Sequence, residues 1–238
     1  MKDFSLQLYS LRDLPTLHER MEAAAAAGYT GVEFAGYDGI GAADMKQLLR
    51  ELGLRGTGSH LRHDLLAQDL DGCVRYCVEA GITSAVCKAC DLDDYDTVMR
   101  QAAFLENCAA KFGEAGIPFA YHNHAYEFEL EKGTTRLELL MQNTEKLGFQ
   151  LDVYWAAYAG VDPLAFIQKY AGRFPLLHFK ELGDERANVE LGRGKLDFPA
   201  LMKAGLAQGT REFIVEQEQY TMDPVESITV DAAYMKAL

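Results

Sequence analysis

The chain alternates short apolar segments with longer amphipathic segments from one end to the other. The short segments have the length and apolar character of buried strands, and the longer ones repeat apolar positions at helical spacing. The first pair is FSLQLYS followed by LPTLHERMEAAAAAG, and the last is EFIVEQE followed by DPVESITVDAAYMKAL. Eight such pairs fill the chain, at about 30 residues per pair. The pattern therefore predicts eight strand–helix units.

Regular alternation of strands and helices predicts a parallel sheet, because each helix carries the chain back to the start of the next strand. Eight units predict closure into a (β/α)8 TIM barrel, a fold that typically takes about 250 residues. We treat residues 1–238 as one domain, since no linker-like segment interrupts the pattern. An open doubly wound sheet is the alternative, but no GxGxxG or Walker loop follows the first strand.

Several predicted helices carry capping residues at their ends. Gly28 follows the Ala-rich first helix, as expected for a helix stop. Asp162 and Pro163 open DPLAFIQKYAG, and Asp197 opens DFPALMKAGLAQG, as expected for helix starts. The pattern also predicts one continuous helix over LLAQDLDGCVRYCVEAG and a strand over FQLDVYW.

The net charge of −13 and the pI of about 4.9 narrow the range of partners. An acidic surface repels a polyanion such as DNA. No apolar run approaches the roughly 18 residues of a membrane span, and the chain opens on a strand-like segment rather than a leader. We therefore expect a cytoplasmic protein with a small-molecule partner, and neither a nucleic acid nor a membrane. A homo-oligomer is compatible with the sequence, which does not fix the oligomeric state.

The five cysteines favour a reducing compartment, because an odd number in a large, core-rich chain indicates free thiols. Cys87 and Cys90 have CxxC spacing, but a zinc ribbon would need a second such pair, which the sequence lacks. We interpret both as small core residues. Cys73 and Cys77, four residues apart on a predicted helix, receive the same interpretation.

Ionisable side chains stand where the predicted strands end. In a TIM barrel these ends gather at one face and carry the catalytic groups. Four of the six histidines fall at such ends. The polar residues at predicted strand ends are Glu33, His60, His122, His124, Glu127, Asp152, His178, Lys180, Glu216 and Glu218.

Four of these residues fall on consecutive units and form a candidate metal site. Glu127, Asp152, His178 and Glu216 follow one another at intervals of 25, 26 and 38 residues. Three carboxylates and one imidazole favour Mn²⁺ or Mg²⁺, with Zn²⁺, Co²⁺ and Fe²⁺ also compatible. Three of the four also have a structural interpretation: a helix cap for Asp152, a core histidine for His178 and an acidic loop edge for Glu127. Glu218 competes with Glu216, since both lie on the same face of the strand.

The sequence resembles the xylose isomerase-like TIM-barrel superfamily, often labelled sugar phosphate isomerases/epimerases. The resemblance covers essentially the whole chain, and the motifs that carry it are YHNHAYEFE, LDVYWAAYAGVDP, LLHFKE, LGRGKLDFPAL and FIVEQE. The resemblance implies that the metal ligands are Glu127, Asp152, His178 and Glu216. The HNHxxEF variant leaves His122 as the alternative to Glu127 at the end of the fifth strand.

The resemblance implies a divalent-metal-dependent isomerase or epimerase of a sugar or keto-sugar, working through a metal-stabilised enediolate. Glu127 and Glu216 would move the proton. Alternatives are an inosose-type dehydratase with the same metal site and a non-catalytic sugar-binding barrel. Endonuclease IV-like DNA repair enzymes share the superfamily, but the negative charge opposes that function. The expected substrate-binding residues are His60, His122, His124, Lys180 and Trp155, and Gly192–Lys195 is a candidate anion-binding loop.

Overall fold

Eight parallel strands close into a barrel in the computed structural model, which describes residues 3–238. Each strand pairs with the next along the chain, and the last pairs with the first, with Ser5 opposite Ile214. The predicted (β/α)8 barrel is therefore confirmed. The barrel strands are β1 (Ser5–Gln7), β2 (Gly31–Phe34), β3 (Arg55–Leu61), β4 (Ala85–Cys87), β5 (Phe119–His122), β6 (Gly148–Asp152), β7 (Leu176–Phe179) and β8 (Glu212–Val215).

Helices surround the barrel and connect successive strands. They are α1 (Leu17–Ala27), α2 (Ala42–Glu51), α3 (His63–Gln68), α4 (Leu70–Ala80), α5 (Tyr95–Glu114), α6 (Arg136–Gln142), α7 (Val153–Tyr158), α8 (Pro163–Lys169), α9 (Phe198–Gln208) and α10 (Pro224–Ala237). Short hairpins (Leu130–Glu131 with Thr134–Thr135, and Glu181–Leu182 with Asn188–Val189) follow β5 and β7. No helix within residues 3–238 combines the length and apolar composition needed to cross a bilayer.

The predicted caps are confirmed. Gly28 ends α1 with a φ of +94°, a conformation that glycine adopts without strain. The carboxylate of Asp162 accepts the backbone N–H groups of Leu164 and Ala165, and that of Asp197 accepts the N–H of Ala200. These contacts satisfy N–H groups that the first turn of a helix leaves unpaired.

Two predicted elements were wrong in extent. The helix predicted over residues 65–81 is two helices, because Asp69 leaves helical geometry and caps α4 through the N–H of Gly72. The strand predicted over FQLDVYW ends at Asp152, and the chain turns at once into α7. In both places a side-chain cap competes with continuation of the element.

The barrel interior has an apolar floor with polar groups above it. Val86, Ala120, Leu176 and Ile214 form a small buried cluster of their own, separate from the large core between the barrel and its helices. Side chains two residues apart on a strand share a face. His122, His178 and Glu216 therefore follow Ala120, Leu176 and Ile214 on the inner face, one step closer to the mouth.

All five cysteines are buried and free, in agreement with their interpretation as core thiols. Burial raises the pKa of Cys73 to about 11 and the pKa of Cys87 to about 12, so both stay protonated at neutral pH. Within residues 3–238, no cysteine belongs to a group of side chains close enough to share a metal ion.

The backbone N–H groups of the loop Gly192–Lys195 already bind a carboxylate of the protein itself. The carboxylate of the buried Glu181 accepts the backbone N–H groups of Gly192, Lys195 and Leu196 at 3.0–3.1 Å. These are the donors that an anion-binding loop would offer to a ligand. The structure thus gives this loop a structural role under α10.

We expect the free energy of unfolding to depend on pH through Asp231 of α10. One of its oxygens accepts the N–H of Leu191 at 2.7 Å and the other is buried without a partner. Burial, reinforced by the nearby Glu190, raises the pKa of Asp231 to about 7. The unfolded value is about 3.9. Between these values the unfolded chain loses a proton that the folded chain keeps, so stability falls as pH rises through this window.

The variant Asp231→Asn keeps the acceptor for Leu191 and removes this titration. We expect it to be more stable than the wild type at pH 8, by up to about 4 kcal/mol, with a much smaller difference at pH 4. Urea unfolding of both proteins at the two pH values measures the difference. Equal differences at both pH values, or a less stable variant at pH 8, would contradict the prediction.

Candidate active site

A cavity of about 310 Å³ opens at the end of the barrel where the strands finish. Residues at or after the ends of strands from both halves of the barrel line this cavity. This is the face where TIM barrels carry their catalytic groups. Four of the five side chains predicted to bind substrate are in its wall. The wall includes His60, His122, His124, Trp155, Glu216 and Glu218.

Four side chains converge at the floor of this cavity. His122 and Asp152 end β5 and β6, His178 is the next-to-last residue of β7, and Glu216 directly follows β8. Each offers a ligand atom within 4.8 Å of the others. All four side chains are buried. The structure thus brings together three of the four predicted ligands, and the fourth member of the group is His122.

Glu127 lies apart from this group, in a short 3-10 turn (Tyr126–Phe128) after β5. Its carboxylate accepts the hydroxyl of Tyr121 and the backbone N–H of His124, both at 2.8 Å. Burial raises the pKa of Glu127 to about 7, although these hydrogen bonds oppose the rise. Within residues 3–238, Glu127 belongs to no group of ligand atoms this close together.

Two buried atoms of the converging group have no hydrogen-bond partner. They are Oδ2 of Asp152 and Nδ1 of His178, the latter 3.4 Å from a carboxylate oxygen of Glu216. The other Asp152 oxygen caps α7 by accepting the N–H of Trp155 at 3.0 Å, so the predicted cap and the predicted ligand position are both present in one side chain. A buried polar atom without a partner costs roughly 1–3 kcal/mol. A bound cation would satisfy both atoms, so these residues fit a divalent metal.

Glu33 on β2 is a site residue that the sequence indicated only as a strand-end carboxylate. It is fully buried, and its carboxylate lies 2.6 Å from Nε2 of His178 and 3.0 Å from Nε2 of His60. Burial alone would raise the pKa of Glu33, but the two histidines hold it well below its usual value. A charged residue inside the apolar segment GVEF was the available signal.

The remaining site residues are charged or aromatic side chains in the cavity wall or directly behind it. Lys180 is buried behind the wall, with its Nζ 2.9 Å from Glu218 and 3.8 Å from Glu216. Its Nζ also lies 4.9 Å from the ring centre of Trp155, whose own indole N–H is buried without a partner. Burial lowers the pKa of His124 to about 4, so its imidazole is neutral at neutral pH.

Comparison with known protein families identifies the family of this chain over almost its full length. The family model described as "Xylose isomerase-like TIM barrel" matches residues 21–238. The chain belongs to this family. The match covers β2–β8 and therefore every side chain of the converging group, which agrees with the resemblance seen in the sequence.

Solved structures of similar proteins cover this xylose isomerase-like barrel almost completely. A sugar phosphate isomerase/epimerase from Parabacteroides distasonis is 27% identical, with 99% of this chain and 94% of that chain covered and a TM-score of 0.87. An L-ribulose 3-epimerase is 15% identical, with 100% and 94% covered and a TM-score of 0.77. The "probable 3-DHS dehydratase AsbF" from Bacillus anthracis is 14% identical, with 98% of each chain covered and a TM-score of 0.76. Comparison of the sequence with curated proteins gave no significant match.

Proposed function

We propose that this protein is a divalent-metal-dependent isomerase or epimerase that acts on a sugar or keto-sugar. The observation that carries the proposal is the convergence of His122, Asp152, His178 and Glu216, with two unpartnered ligand atoms, at the floor of the cavity. Similarity to a sugar phosphate isomerase/epimerase over nearly the full length supports the substrate class.

The metal would be held by His122, Asp152, His178 and Glu216. Two imidazoles and two carboxylates suit Mn²⁺, Fe²⁺, Co²⁺ or Zn²⁺ better than Mg²⁺, which prefers an all-oxygen environment. We assign Mn²⁺ as the cofactor. When bound, a divalent cation supplies positive charge that stabilises the negative charge developing on a polarised carbonyl oxygen.

Glu216 is the group that we assign to proton transfer. Burial would raise the pKa of Glu216, but Lys180 and His178 lower it to about 2, so the carboxylate is ionised and able to accept a proton. It removes a proton from the carbon next to the substrate carbonyl. For isomerisation the same carboxylate returns the proton to the neighbouring carbon.

The other site residues bind and orient the substrate. The side chains of His60, His124 and Trp155 line the cavity, and we assign them to substrate binding. We assign Glu127 to holding the backbone of His124 rather than to proton transfer, because its carboxylate already accepts two hydrogen bonds.

A dehydratase is the second candidate, since one carboxylate at the cavity floor can serve both halves of an elimination. The ammonium group of Lys180 lies 3.8 Å behind the Glu216 carboxylate and keeps it ionised. In a β-elimination, Glu216 would remove the α-proton and, in its protonated form, pass it to the departing hydroxyl, which leaves as water. The fold similarity to a protein described as a dehydratase is compatible with this reaction.

Hydrogen exchange tests the proposal and separates the candidates. Protein loaded with Mn²⁺ is incubated in D₂O with a panel of ketopentoses, ketohexoses and keto-inositols, with metal-stripped protein as the control. We expect deuterium at the α-carbon and a new sugar isomer only in the loaded sample. A dehydrated product would select the lyase. Binding of a sugar with no exchange and no new product would contradict both reactions and indicate a sugar-binding barrel.

A further inference from the structure

We propose that Glu33 and Gln150 are positioning residues, which determine the nitrogens that His122 and His178 present to the metal. The inference rests on the proposed metal-dependent function and goes beyond it, since neither residue lies in the cavity wall. Both are fully buried inside the barrel, between the apolar floor and the converging ligands. They connect side chains from six of the eight strands.

Four hydrogen-bond donors converge on the two oxygens of Glu33. Oε2 accepts from Gln7 Nε2 at 2.8 Å and from His178 Nε2 at 2.6 Å, and His60 Nε2 is 3.0 Å away. Oε1 accepts from Gln150 Nε2 at 2.6 Å. Because every neighbour is a donor, only an ionised carboxylate satisfies all of them at this position.

The contact with Glu33 fixes the orientation of the Gln150 amide. Since Gln150 Nε2 donates to Glu33, Gln150 Oε1 is the atom that faces the histidines. This oxygen is 2.7 Å from His60 Nε2 and 3.1 Å from His122 Nδ1. A carbonyl oxygen can only accept, so both of these nitrogens carry hydrogen.

The same logic determines the tautomers of both metal-binding histidines. His178 donates from Nε2 to Glu33, so Nδ1, which lies 3.4 Å from a carboxylate oxygen of Glu216, is the nitrogen left to bind the cation. His122 donates from Nδ1 to Gln150, so its lone pair is on Nε2. A neutral imidazole can bind a metal only through the nitrogen that lacks hydrogen. Glu33 and Gln150 therefore each bind one nitrogen of a histidine ring and leave the other nitrogen to bind the cation.

The backbone around Glu33 provides the space that this arrangement needs. The register between β2 and β3 shifts at Glu33, which lies opposite Gly58. A Cβ atom on Gly58 would overlap the Glu33 carboxylate. The glycine lets the carboxylate lie against β3 and reach His60 and His178.

The variant Glu33→Gln tests the inference, because its amide NH₂ must face at least one of the four donors and disturb the chain of hydrogen bonds. The measurement is calorimetric titration of metal-stripped protein with Mn²⁺, together with the visible absorption spectrum of the Co²⁺ form. We expect binding about 10–100-fold weaker than in the wild type and a changed Co²⁺ spectrum. Asp231→Asn, another buried carboxylate changed to its amide, is the matched control and is expected to bind both metals normally.

A second variant, Gln150→Met, keeps the inference testable if Glu33→Gln does not fold, since it leaves the Glu33 carboxylate in place and removes the acceptor for His122 and His60 together with one donor to Glu33. It too should bind Mn²⁺ more weakly and change the Co²⁺ spectrum. Lower thermal stability with unchanged metal affinity and an unchanged spectrum in the folded variants would overturn the inference. If the wild type itself binds neither metal, the proposed function fails instead, so the two failures are distinguishable.

Discussion

Glu216→Gln is expected to lower the turnover number by roughly 10²–10⁴-fold, the usual contribution of a positioned acid–base group. The amide cannot accept the substrate proton, and it also replaces an anionic ligand by a neutral one. The buried Lys180, which lies 3.8 Å from Glu216, would lose one of its neighbouring anions. The measurement is the rate of α-deuterium incorporation for the sugar that the wild-type protein converts, at saturating substrate and Mn²⁺.

Glu212→Gln is the matched control for this variant, because Glu212 begins the same strand, β8, at the opposite end of the barrel. Its carboxylate pairs with Arg55 and accepts the hydroxyl of Ser5 at that end, and it is not part of the cavity. We expect this variant to keep the turnover of the wild type, since that end of a TIM barrel serves stability. A Glu216→Gln protein that binds Mn²⁺ and exchanges deuterium at the wild-type rate would exclude Glu216 as the base.

His122→Gln is expected to weaken Mn²⁺ binding by more than about 100-fold, whereas Glu127→Gln is expected to bind Mn²⁺ as the wild type does. Loss of a ligand should exceed the roughly 10–100-fold effect of losing a hydrogen-bond partner of a ligand. Glu127 accepts hydrogen bonds from Tyr121 and from the N–H of His124, and an amide oxygen can keep one of them. Calorimetric titration of the metal-stripped variants measures both affinities.

The two variants introduce the same residue at buried positions five residues apart, so each serves as the control for the other. Thermal unfolding establishes that both are folded at the titration temperature. The reverse result, with normal affinity in His122→Gln and a large loss in Glu127→Gln, would return Glu127 to the role that the sequence resemblance implied.

The barrel was predictable because each strand–helix unit is specified by the residues within that unit. Each strand–helix unit carries its own apolar period and its own caps, such as Gly28 after α1 and Asp162 before α8. The errors arose where a side chain ends an element within an apolar pattern. Asp69 divides α3 from α4, and Asp152 ends β6 and starts α7 by binding the N–H of Trp155. The apolar periodicity continues through both positions and conceals the break.

The convergence of Asp152, His178 and Glu216 was predictable, because each is an ionisable residue at the end of an apolar strand. The choice between His122 and Glu127 was not, because it depends on the geometry of the chain after β5. His122 shares the inner face with Ala120, while the 3-10 turn that follows directs Glu127 to Tyr121. Such a turn has no clear sequence signature.

The buried layer below His122 and His178, formed by Glu33 and Gln150, was harder still to predict from sequence. Glu33 had the same signal as Glu216, a carboxylate within an apolar strand, but its partners lie 26 or more residues away. Gln150 is uncharged and gives no such signal, although its amide contacts His60, His122 and Glu33. These contacts follow from barrel closure, which brings distant strands face to face.

The most direct measurement for the whole account is a crystal structure of the protein soaked in Mn²⁺, with anomalous scattering recorded. We predict one strong anomalous peak at the cavity floor, about 2.0–2.3 Å from a nitrogen of His122, Nδ1 of His178 and carboxylate oxygens of Asp152 and Glu216. A saturating soak that leaves this position without a peak, or a peak bound by other residues, would contradict the account.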